Sequence, residues 1–320
     1  MDTRILSAQA QGAIDEAVRC LGAGGLVAVP TETVYGLAGD AMNGQAVARI
    51  FEAKGRPSFN PLIAHVCDLD MARQIAALDA VALALAERFW PGPLTLVLPL
   101  AASARVHPLV TAGLSTVAVR MPKGPASEII RRLGRPLAAP SANRSGRVSP
   151  TTADHVNRSL GGRIELILDA GPCAFGLEST IVKPEGGELL LLRPGAVTVE
   201  EIEDAIGLPL RTASGSGIQA PGQMASHYAP AGQVRLEARH VEAGEHLVAF
   251  GSGRVEGEEK AASRIDLSPD GDLREAAANL FAALARLDAP DVERIAVMPI
   301  PRHGLGLAIN DRLARAAAPR

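Results

Sequence analysis

The stretch Leu26-Val-Ala-Val-Pro30-Thr-Glu-Thr-Val-Tyr-Gly-Leu37 begins as an apolar run and continues as a segment with three hydroxyl groups and a carboxylate. Residues 9–21, just before it, have a helical pattern and end at glycines. The apolar run predicts a short buried strand at 26–30. A helix, then a buried strand with polar groups directly after it, is typical of an α/β protein.

The same alternation of helix, strand and turn continues along the first two thirds of the chain. We predict further helices at 43–53, 70–77, 79–89, 125–133, 152–160 and 198–206. We predict further strands at 62–66, 94–100, 116–121, 137–141, 165–169, 178–183 and 188–193. Thr151-x-x-Asp154 and Thr198-x-x-Glu201 have the spacing of capping boxes that would open the last two helices. The pattern predicts an open, twisted, mixed sheet with flanking helices.

The periodicity stops after Leu210, where Gly, Ser, Ala and Pro become frequent up to Gly232. A second, smaller α/β pattern follows, with strands near 246–250, 263–267 and 294–299, a helix at 272–287 and a terminal helix from about 305. We therefore predict a first domain at 1–208, a flexible linker at 209–232 and a Rossmann-like domain at 233–320. No complete GxGxxG or Walker sequence occurs, which disfavours a standard dinucleotide or P-loop site.

The composition indicates a globular protein with no basic or acidic specialisation. The 320 residues are 47% apolar and carry a net charge of −3. No uncharged apolar run is long enough to cross a membrane, and the first residues lack the profile of a signal peptide, so we expect a cytoplasmic protein without a membrane partner. The three cysteines lack a metal-ligand spacing, so buried thiols are favoured over a metal site or catalysis.

One stretch of the chain is locally basic. Between Lys123 and Arg158, seven basic side chains face only two acidic ones, Glu128 and Asp154. The basic residues are Lys123, Arg131, Arg132, Arg135, Arg144, Arg147 and Arg158. A solvated face and an anion-attracting rim both fit this pattern.

Polar side chains recur where predicted strands and helices end. Lys54 and Arg56 follow a predicted helix, where Gly55 would cap the helix and place both cations in a loop stiffened by Pro57 and Asn60-Pro61. A rigidly held arginine can bind phosphate oxygens with both arms, although plain complementarity to the helix dipole is the alternative. Ser141 and Asn143 follow the strand at 137–141, where open sheets place ligands, although they could simply form a turn.

Other candidates lie in or beside strands. His65 interrupts an apolar strand, and a lone strand histidine is more often a core residue than a ligand. Thr116, Ala118 and Arg120 share one strand face. The segments Glu178-Ser-Thr180 and Arg193-Pro-Gly195 add polar groups at two more strand ends. Because an unpaired buried polar group costs roughly 1–3 kcal/mol, so many of them together indicate a ligand site.

Taken together, these segments resemble the YrdC-type threonylcarbamoyl-AMP synthases in their longer, two-domain form. The resemblance covers nearly the whole chain. The family's Lys-x-Arg and Ser-x-Asn signature falls on Lys54/Arg56 and Ser141/Asn143, its opening motif on 30–37 and its Glu-Ser-Thr on 178–180. The segment 304–312 is similar to the closing motif of the family's second domain.

The resemblance implies a nucleotidyltransferase that forms threonylcarbamoyl-AMP and pyrophosphate from L-threonine, bicarbonate or CO2, and ATP accompanied by Mg²⁺, with no protein metal site. The product would pass to a downstream tRNA threonylcarbamoyl transferase complex, with possible direct contact to tRNA. The signature implies catalytic roles for Lys54, Arg56, Ser141 and Asn143. Threonine-contacting positions fall on Thr33, His65, Arg120, Ala139 and Ser179, where alanine at 139 leaves only a backbone contact. ATP-contacting positions fall on Arg56, Asn60, Thr116, Ser141, Ser149, Arg193 and the linker residue Tyr228.

Two alternatives stay open from the sequence. Similar modules occur in carbamoyltransferases that mature hydrogenases, but those carry zinc-finger cysteines that this chain lacks. An RNA-binding or ribosome-associated module could use the basic stretch without catalysis.

Overall fold

The computed structural model describes residues 2–213 and 217–319, and this part of the chain contains two sheets. Eleven strands form the first sheet. They are β1 Arg4–Ser7, β2 Val27–Val29, β3 Gly36–Asp40, β4 Ile63–His65, β5 Leu94–Pro99, β6 Thr116–Arg120, β7 Leu137–Ala138, β8 Leu166–Asp169, β9 Thr180–Glu185, β10 Glu188–Arg193 and β11 Leu210–Thr212. Their spatial order is β1-β8-β2-β3-β7-β4-β6-β5-β9-β10-β11. Parallel pairs such as β4 with β6 and antiparallel pairs such as β5 with β6 make it the mixed sheet that the sequence predicted.

Helices cover both faces of the first sheet. Its helices are α1 Ala13–Gly22, α2 Gly44–Lys54, α3 Leu69–Ile75, α4 Ala80–Phe89, α5 Pro108–Thr111, α6 Pro125–Leu133, α7 Ala153–Leu160 and α8 Val199–Ile206. Strand alternation sends Val27 and Val29 into a core with α1 and α6, and sends Ala28 into a second core with α2 and α4. Apolar residues on both faces explain why the strands have nearly continuous apolar sequences.

The second sheet has four parallel strands, as expected for a Rossmann-like unit. They are β12 Gln233–Arg235, β13 His246–Ala249, β14 Ser263–Asp266 and β15 Arg294–Val297, in the order β12-β15-β13-β14. The two helices of this unit are α9 Leu273–Arg286 and α10 Leu305–Ala317. Their apolar residues join Val34, Val148 and Leu177 of the first unit in one core. The two units therefore pack against each other.

Several local expectations were wrong. Strands β1, β3 and β12 were not predicted, and β7 ends at Ala138 because the following residues turn toward Gly36. The cap of α7 is Thr152, not Thr151, whereas the capping box of Thr198 and Glu201 is confirmed. The start of the predicted linker is not irregular, since β11 pairs in parallel with β10. Over residues 2–213 and 217–319, none of the helices combines the length and the apolar character that a membrane span needs.

Candidate active site

A cavity of about 50 Å³ lies where polar segments from several strands meet. His65 and Arg120 are the last residues of the parallel strands β4 and β6 and lie opposite each other in register. The carboxyl ends of parallel strands are the usual place for a ligand in an α/β sheet. Of the predicted site residues, the cavity is lined by Thr33, Arg56, His65, Arg120, Ala139, Ser141, Ser179, Arg193 and Tyr228.

Arg120 is a fixed cation in the lining of this cavity, and together with His65, Thr33 and Ser179 it forms the group of residues that we call the amino-acid end. Its Nη2 donates to Glu32 Oε1 at 2.7 Å and its Nε donates to the Gly92 carbonyl at 3.2 Å. Glu32 Oε2 also accepts from the Lys123 backbone at 3.0 Å, so the carboxylate itself is held. Among the described residues, nothing accepts a hydrogen bond from Arg120 Nη1, which leaves one arm for a carboxylate ligand. The sequence marked Glu32 as part of a motif but gave no sign that it would hold Arg120.

The other groups at this end are neutral. Burial, followed by the nearby charge of Arg120, lowers the pKa of His65 to about 3, so its imidazole is uncharged at pH 7. The hydroxyl of Thr33 lies 2.9 Å from that of Thr31, and the hydroxyl of Ser179 lies 2.7 Å from that of Thr95. Arg120, two oriented hydroxyls and a neutral imidazole fit the carboxylate, amine and hydroxyl of an amino acid, and the Ser179 hydroxyl joins this group to Arg193 at 3.2 Å.

Lys54 lies beside the cavity, next to the lining residue Ser141, in a position that differs from the prediction. It is the last residue of α2 and is buried at 2% exposure, not in a loop. Gly55 caps the helix in the left-handed conformation, as predicted. The Lys54 ammonium donates to the carbonyls of Ser141 and Asn143, so it holds the second half of the signature. Burial and the charge of Arg56 keep the pKa of Lys54 well below its usual value.

Two arginines of the lining, Arg56 and Arg193, form with Lys54 a second group of residues that we call the basic end. Arg56 donates to the Asn60 side-chain oxygen and to the Pro61 carbonyl, both at 2.7 Å. Arg193 is buried and donates through Nη2 to the Ser179 carbonyl at 2.8 Å. Burial lowers the pKa of Arg56 to about 10 and also lowers that of Arg193.

These three cations share one property. Within residues 2–213 and 217–319, the hydrogen-bond partners of Lys54, Arg56 and Arg193 are neutral oxygens of carbonyl, amide or hydroxyl groups. Glu178 is close enough to Arg193 to raise its pKa against the effect of burial, but this one carboxylate is already paired with Arg312, and an excess of buried positive charge is costly unless a ligand neutralises it. This end of the cavity is therefore suited to an anion with several charges.

Three more predicted residues adjoin the cavity without lining it. Asn60 accepts a hydrogen bond from Arg56, and Ser149 donates its hydroxyl to Glu178 Oε1 at 2.6 Å. Asn143 lies two residues after the lining residue Ser141. Glu178 does line the cavity, and its other carboxylate oxygen accepts from Arg312 of α10 at 2.8 Å. The sequence gave no sign of this last contact, because it joins residues 134 positions apart.

Thr116 is the one predicted residue that the structure leaves away from the cavity. It begins β6, four residues before Arg120, which corresponds to about 13 Å along a strand. Between them lies Ala118, in an apolar cluster that Ala220 of the linker covers. The structure therefore does not bring Thr116 together with the other predicted ATP-contacting residues.

Tyr228 lies in the cavity wall with 1% of its surface exposed. Its ring stacks on Phe281 of α9 at 5.4 Å between centroids, and the Arg312 guanidinium lies 5.2 Å from the ring centre. The linker approaches Arg193 at Gly222, where a Cβ atom would lie 2.9 Å from both Arg193 Cδ and the Tyr228 hydroxyl. The linker is thus docked over the basic end.

Buried atoms without partners concentrate here. In the described part of the chain, the buried side-chain atoms without a hydrogen-bond partner are His65 Nδ1, Asn143 Oδ1 and His227 Nδ1. His65 lines the cavity, and the other two are neighbours of Ser141–Ala142 and Tyr228. Unsatisfied buried polar atoms in a cavity wall indicate groups that a ligand completes.

The basic stretch from Lys123 to Arg158 is largely neutralised. Five of its seven basic side chains form ion pairs. The carboxylates come from Asp15, Asp40, Glu128, Asp154 and Asp288, three of which lie outside the stretch. This favours the solvated-face interpretation over an anion-attracting rim.

Two family models match the chain in tandem. The first, described as Telomere recombination and named for Sua5, YciO and YrdC, matches residues 19–195. The second, described as Threonylcarbamoyl-AMP synthase, C-terminal domain, matches residues 197–318. The chain is also 44% identical over 313 residues to the threonylcarbamoyl-AMP synthase of Bacillus subtilis. The aligned region covers 92% of this chain and 90% of that protein.

The chain belongs to the threonylcarbamoyl-AMP synthase family. The enzyme of that name from Pyrococcus abyssi is 42% identical over 320 residues, covering 93% of this chain and 92% of the other. The solved structure of Pyrococcus abyssi Sua5 complexed with L-threonine matches with a TM-score of 0.88 and 38% identity over 98% of each chain.

Membership of the threonylcarbamoyl-AMP synthase family confirms the resemblance and the two-unit α/β fold. The individual residue roles and the domain boundaries stay predictions. In their favour, thirteen of the fourteen predicted site residues line the cavity or adjoin it, and only Thr116 does not.

Proposed function

We propose that this protein condenses L-threonine, bicarbonate or CO2, and ATP into threonylcarbamoyl-AMP with release of pyrophosphate. One observation carries the proposal: a single cavity has an amino-acid end and a basic end. Arg120 and the neutral His65 lie at the first. Arg56 and Arg193 line the second without carboxylate partners among the described residues. The relatives bear the name of this activity.

The reaction begins when the deprotonated amine of threonine adds to CO2 and gives a carbamate and a proton. A carbamate oxygen then attacks the α-phosphorus of ATP. The bond from that phosphorus to the oxygen bridging to the β-phosphorus breaks, and pyrophosphate leaves with the electron pair. No covalent bond to the protein is needed, so positioning is the main contribution, with effective molarities that reach about 10⁵–10⁸ M.

The amino-acid end orients threonine. The free arm of Arg120 binds the carboxylate, because its other two donors are held by Glu32 and Gly92. The fixed hydroxyls of Thr33 and Ser179 and the free His65 Nδ1 bind the amine and side-chain hydroxyl. With the carboxylate bound to Arg120, the carbamate on the amine is the group that faces Arg56 and Arg193.

The basic end stabilises the phosphates. Arg56 and Arg193 are immobilised before a nucleotide binds, so they neutralise the charge that develops on pyrophosphate with little reorganisation. Lys54 has three donors, of which two hold the carbonyls of Ser141 and Asn143. Its third donor remains for a phosphate oxygen.

Mg²⁺ enters this scheme as part of the substrate, bound to the phosphates of ATP. Among residues 2–213 and 217–319, no group of three His, Cys, Asp or Glu side chains could hold a metal ion. Glu178, a carboxylate in the cavity lining, already accepts from Ser149 and Arg312. These residues do not form a metal cage, so no step is assigned to a protein-bound metal.

The test is pyrophosphate release from MgATP by the full chain, with and without threonine and bicarbonate. We expect release to require both, and isotope-labelled bicarbonate to appear in the adenylate product by mass spectrometry. Release without threonine, or product without label, would contradict the proposal.

A matched pair of variants tests the basic end. Arg193→Met removes a buried cation of the cavity and should lower kcat by about 10²–10³-fold, the usual effect of losing one transition-state donor. Arg49→Met removes an arginine that pairs with Glu165 elsewhere and should leave kcat unchanged. Equal rates in the two variants would remove Arg193 from the mechanism.

We also propose that the product passes, in the cytoplasm, to a transferase complex that modifies tRNA. The adenylate is a mixed anhydride that water hydrolyses, so a consuming enzyme must accept it soon after release. Direct RNA contact has less support, because the basic stretch is mostly ion-paired. A salt-dependent affinity for tRNA, measured with the purified chain, would support direct RNA contact.

A further inference from the structure

Arg312 of the C-terminal helix α10 is the largest fully buried side chain in the described residues. Its Nε donates to Glu178 Oε2 at 2.8 Å and its Nη2 donates to the Pro194 carbonyl at 2.9 Å. Its Nη1 donates to Asp311 at 2.5 Å. Glu178 and Pro194 belong to the first unit, so this arginine extends from the second unit into the wall behind the cavity.

Glu178 poses an electrostatic problem that Arg312 solves. It is a carboxylate in the lining of a cavity whose proposed ligand is a nucleoside triphosphate. Like charges in a low-dielectric site repel each other strongly. Burial pushes the pKa of Glu178 upward, but the charges of Arg312 and Arg193 outweigh it and bring the pKa to about 2. Glu178 is therefore ionised at pH 7 and depends on these arginines for its neutralisation.

The same helix turn holds the docked linker. The Arg312 guanidinium lies against the ring of Tyr228. One turn further on, Arg315 donates through Nη1 to the Met224 carbonyl at 2.6 Å, and its own carbonyl accepts from the His227 backbone at 3.2 Å. Helix α10 thus contacts the nucleotide end of the cavity through both Glu178 and the linker.

We propose that Arg312 is a positioning residue of the nucleotide site, supplied by the second unit, which neutralises Glu178 and holds Tyr228 so that the cavity accepts a triphosphate. This rests on the proposed function, and it gives the C-terminal domain a defined part in nucleotide binding. Arg312 itself touches no substrate, because none of its surface is exposed and it does not line the cavity.

The test compares kinetic constants of full-length variants. Arg312→Met removes the charge and keeps the bulk, so the Glu178 carboxylate loses its hydrogen-bonded counter-ion and repels the phosphates. We expect the KM for MgATP to rise at least tenfold while the KM for threonine stays within threefold. Arg312→Lys, which keeps the charge, should fall between wild type and Arg312→Met. The control is Arg235→Met, which breaks a similarly close pair with Glu245 inside the second unit and should leave both KM values unchanged.

The double variant Glu178→Gln/Arg312→Met separates charge compensation from a structural role. Replacing both members of a buried pair by neutral groups is often tolerated, so this variant is expected to fold even where the single variant does not. If Arg312 acts through Glu178, the double variant should bind MgATP at least threefold better than Arg312→Met. Where Arg312→Met does not fold, the double variant should have a KM for MgATP within tenfold of wild type.

Two results would overturn the inference. One is a folded Arg312→Met protein with the wild-type KM for MgATP. The other is a double variant that binds MgATP no better than Arg312→Met. Where Arg312→Met does not fold, a double variant whose KM for MgATP is more than tenfold above wild type has the same consequence. Failure of the proposed function looks different, because wild type itself would then release no pyrophosphate in response to threonine and bicarbonate.

Discussion

Replacing Gly176 by alanine should push apart the two units of the protein. Gly176 has a left-handed backbone, with φ of +65°. A Cβ atom there would lie 2.4 Å from the Ala278 carbonyl oxygen and 2.6 Å from Ala278 Cα. These are backbone atoms of α9, which cannot rotate away as a side chain could. Gly187 is the matched control, because its φ is +83° and an added Cβ would meet nothing within 4 Å.

The magnitudes follow from that difference. Alanine in the left-handed region costs about 1–2 kcal/mol at either position. At Gly176 the helix must also shift, and overpacking of a close contact costs typically 1–3 kcal/mol more. We therefore expect the free energy of unfolding to fall by about 1–2 kcal/mol for Gly187→Ala and by about 2–5 kcal/mol for Gly176→Ala.

Urea unfolding followed by circular dichroism measures these losses, and enzyme kinetics measure the consequence for the site. Helix α9 carries Phe281, on which Tyr228 stacks, so a shift of α9 should raise the KM for MgATP in Gly176→Ala. Gly187→Ala should keep the wild-type KM. Equal losses of stability in the two variants would show that the close approach to α9 is absent, and would refute the reasoning.

Three further variants test single contacts. Arg120→Lys should raise the KM for threonine at least tenfold and leave that for MgATP unchanged, because the single nitrogen of lysine lacks the planar fork whose three separated nitrogens reach Glu32, Gly92 and a carboxylate at once. Tyr228→Ala should raise the KM for MgATP and increase ATP hydrolysis without product, measured as the ratio of AMP to adenylate product; unchanged kinetics would remove the linker from the mechanism. Burial lowers the pKa of His227 to about 3, so below pH 6.5 the unfolded chain binds a proton that the folded chain does not, and stability falls with acid. The free energy of unfolding of His227→Gln, measured with urea at pH 6, 5 and 4, should therefore depend less on pH than that of wild type, by about 1.4 kcal/mol per pH unit. The same pH dependence in both proteins would show that His227 is protonated when folded.

The fold was predictable wherever apolar runs were long. Strands such as β5 and β8 are apolar along their length, and their bounds differ from the predicted ones by a residue or two. Strand β3, Gly36–Asp40, was missed because two of its five residues are glycines, which weaken the local preference for a strand. It forms because β2 and β7 pair with it on either side. Tertiary pairing, which no local pattern records, decides such segments.

The site was predictable where the motif residues themselves meet the cavity. Contacts between segments that are distant in sequence were not predictable. Lys54 was expected in a loop, but the helix extends one residue further so that its ammonium reaches the carbonyls after β7. The Glu32–Arg120 and Glu178–Arg312 pairs join residues 88 and 134 positions apart. A single sequence gives the residue types of such pairs but not their partners.

The linker contacts at the basic end are weaker than those that tie it to α10. The Pro221 carbonyl lies 3.4 Å from Arg193 Nη1, and the Met224 sulfur lies 3.5 Å from Asn60 Nδ2. The first bond is long for an oxygen acceptor, and a thioether sulfur is a weak acceptor, so both contacts are weak. By contrast, the Met224 carbonyl lies 2.6 Å from Arg315.

A triphosphate offers Arg193 and Asn60 charged oxygens, which bind arginine about twice as strongly as neutral ones. It can therefore displace the Pro221 carbonyl and the Met224 side chain while residues 227–228 stay anchored to α10. We infer that the linker opens from the Pro221 side and that α10 serves as its hinge. Cross-linking residue 221 to the first unit by a disulfide should then abolish turnover, and reduction of the disulfide should restore it. Full turnover by the cross-linked protein would show that the linker does not open at this side.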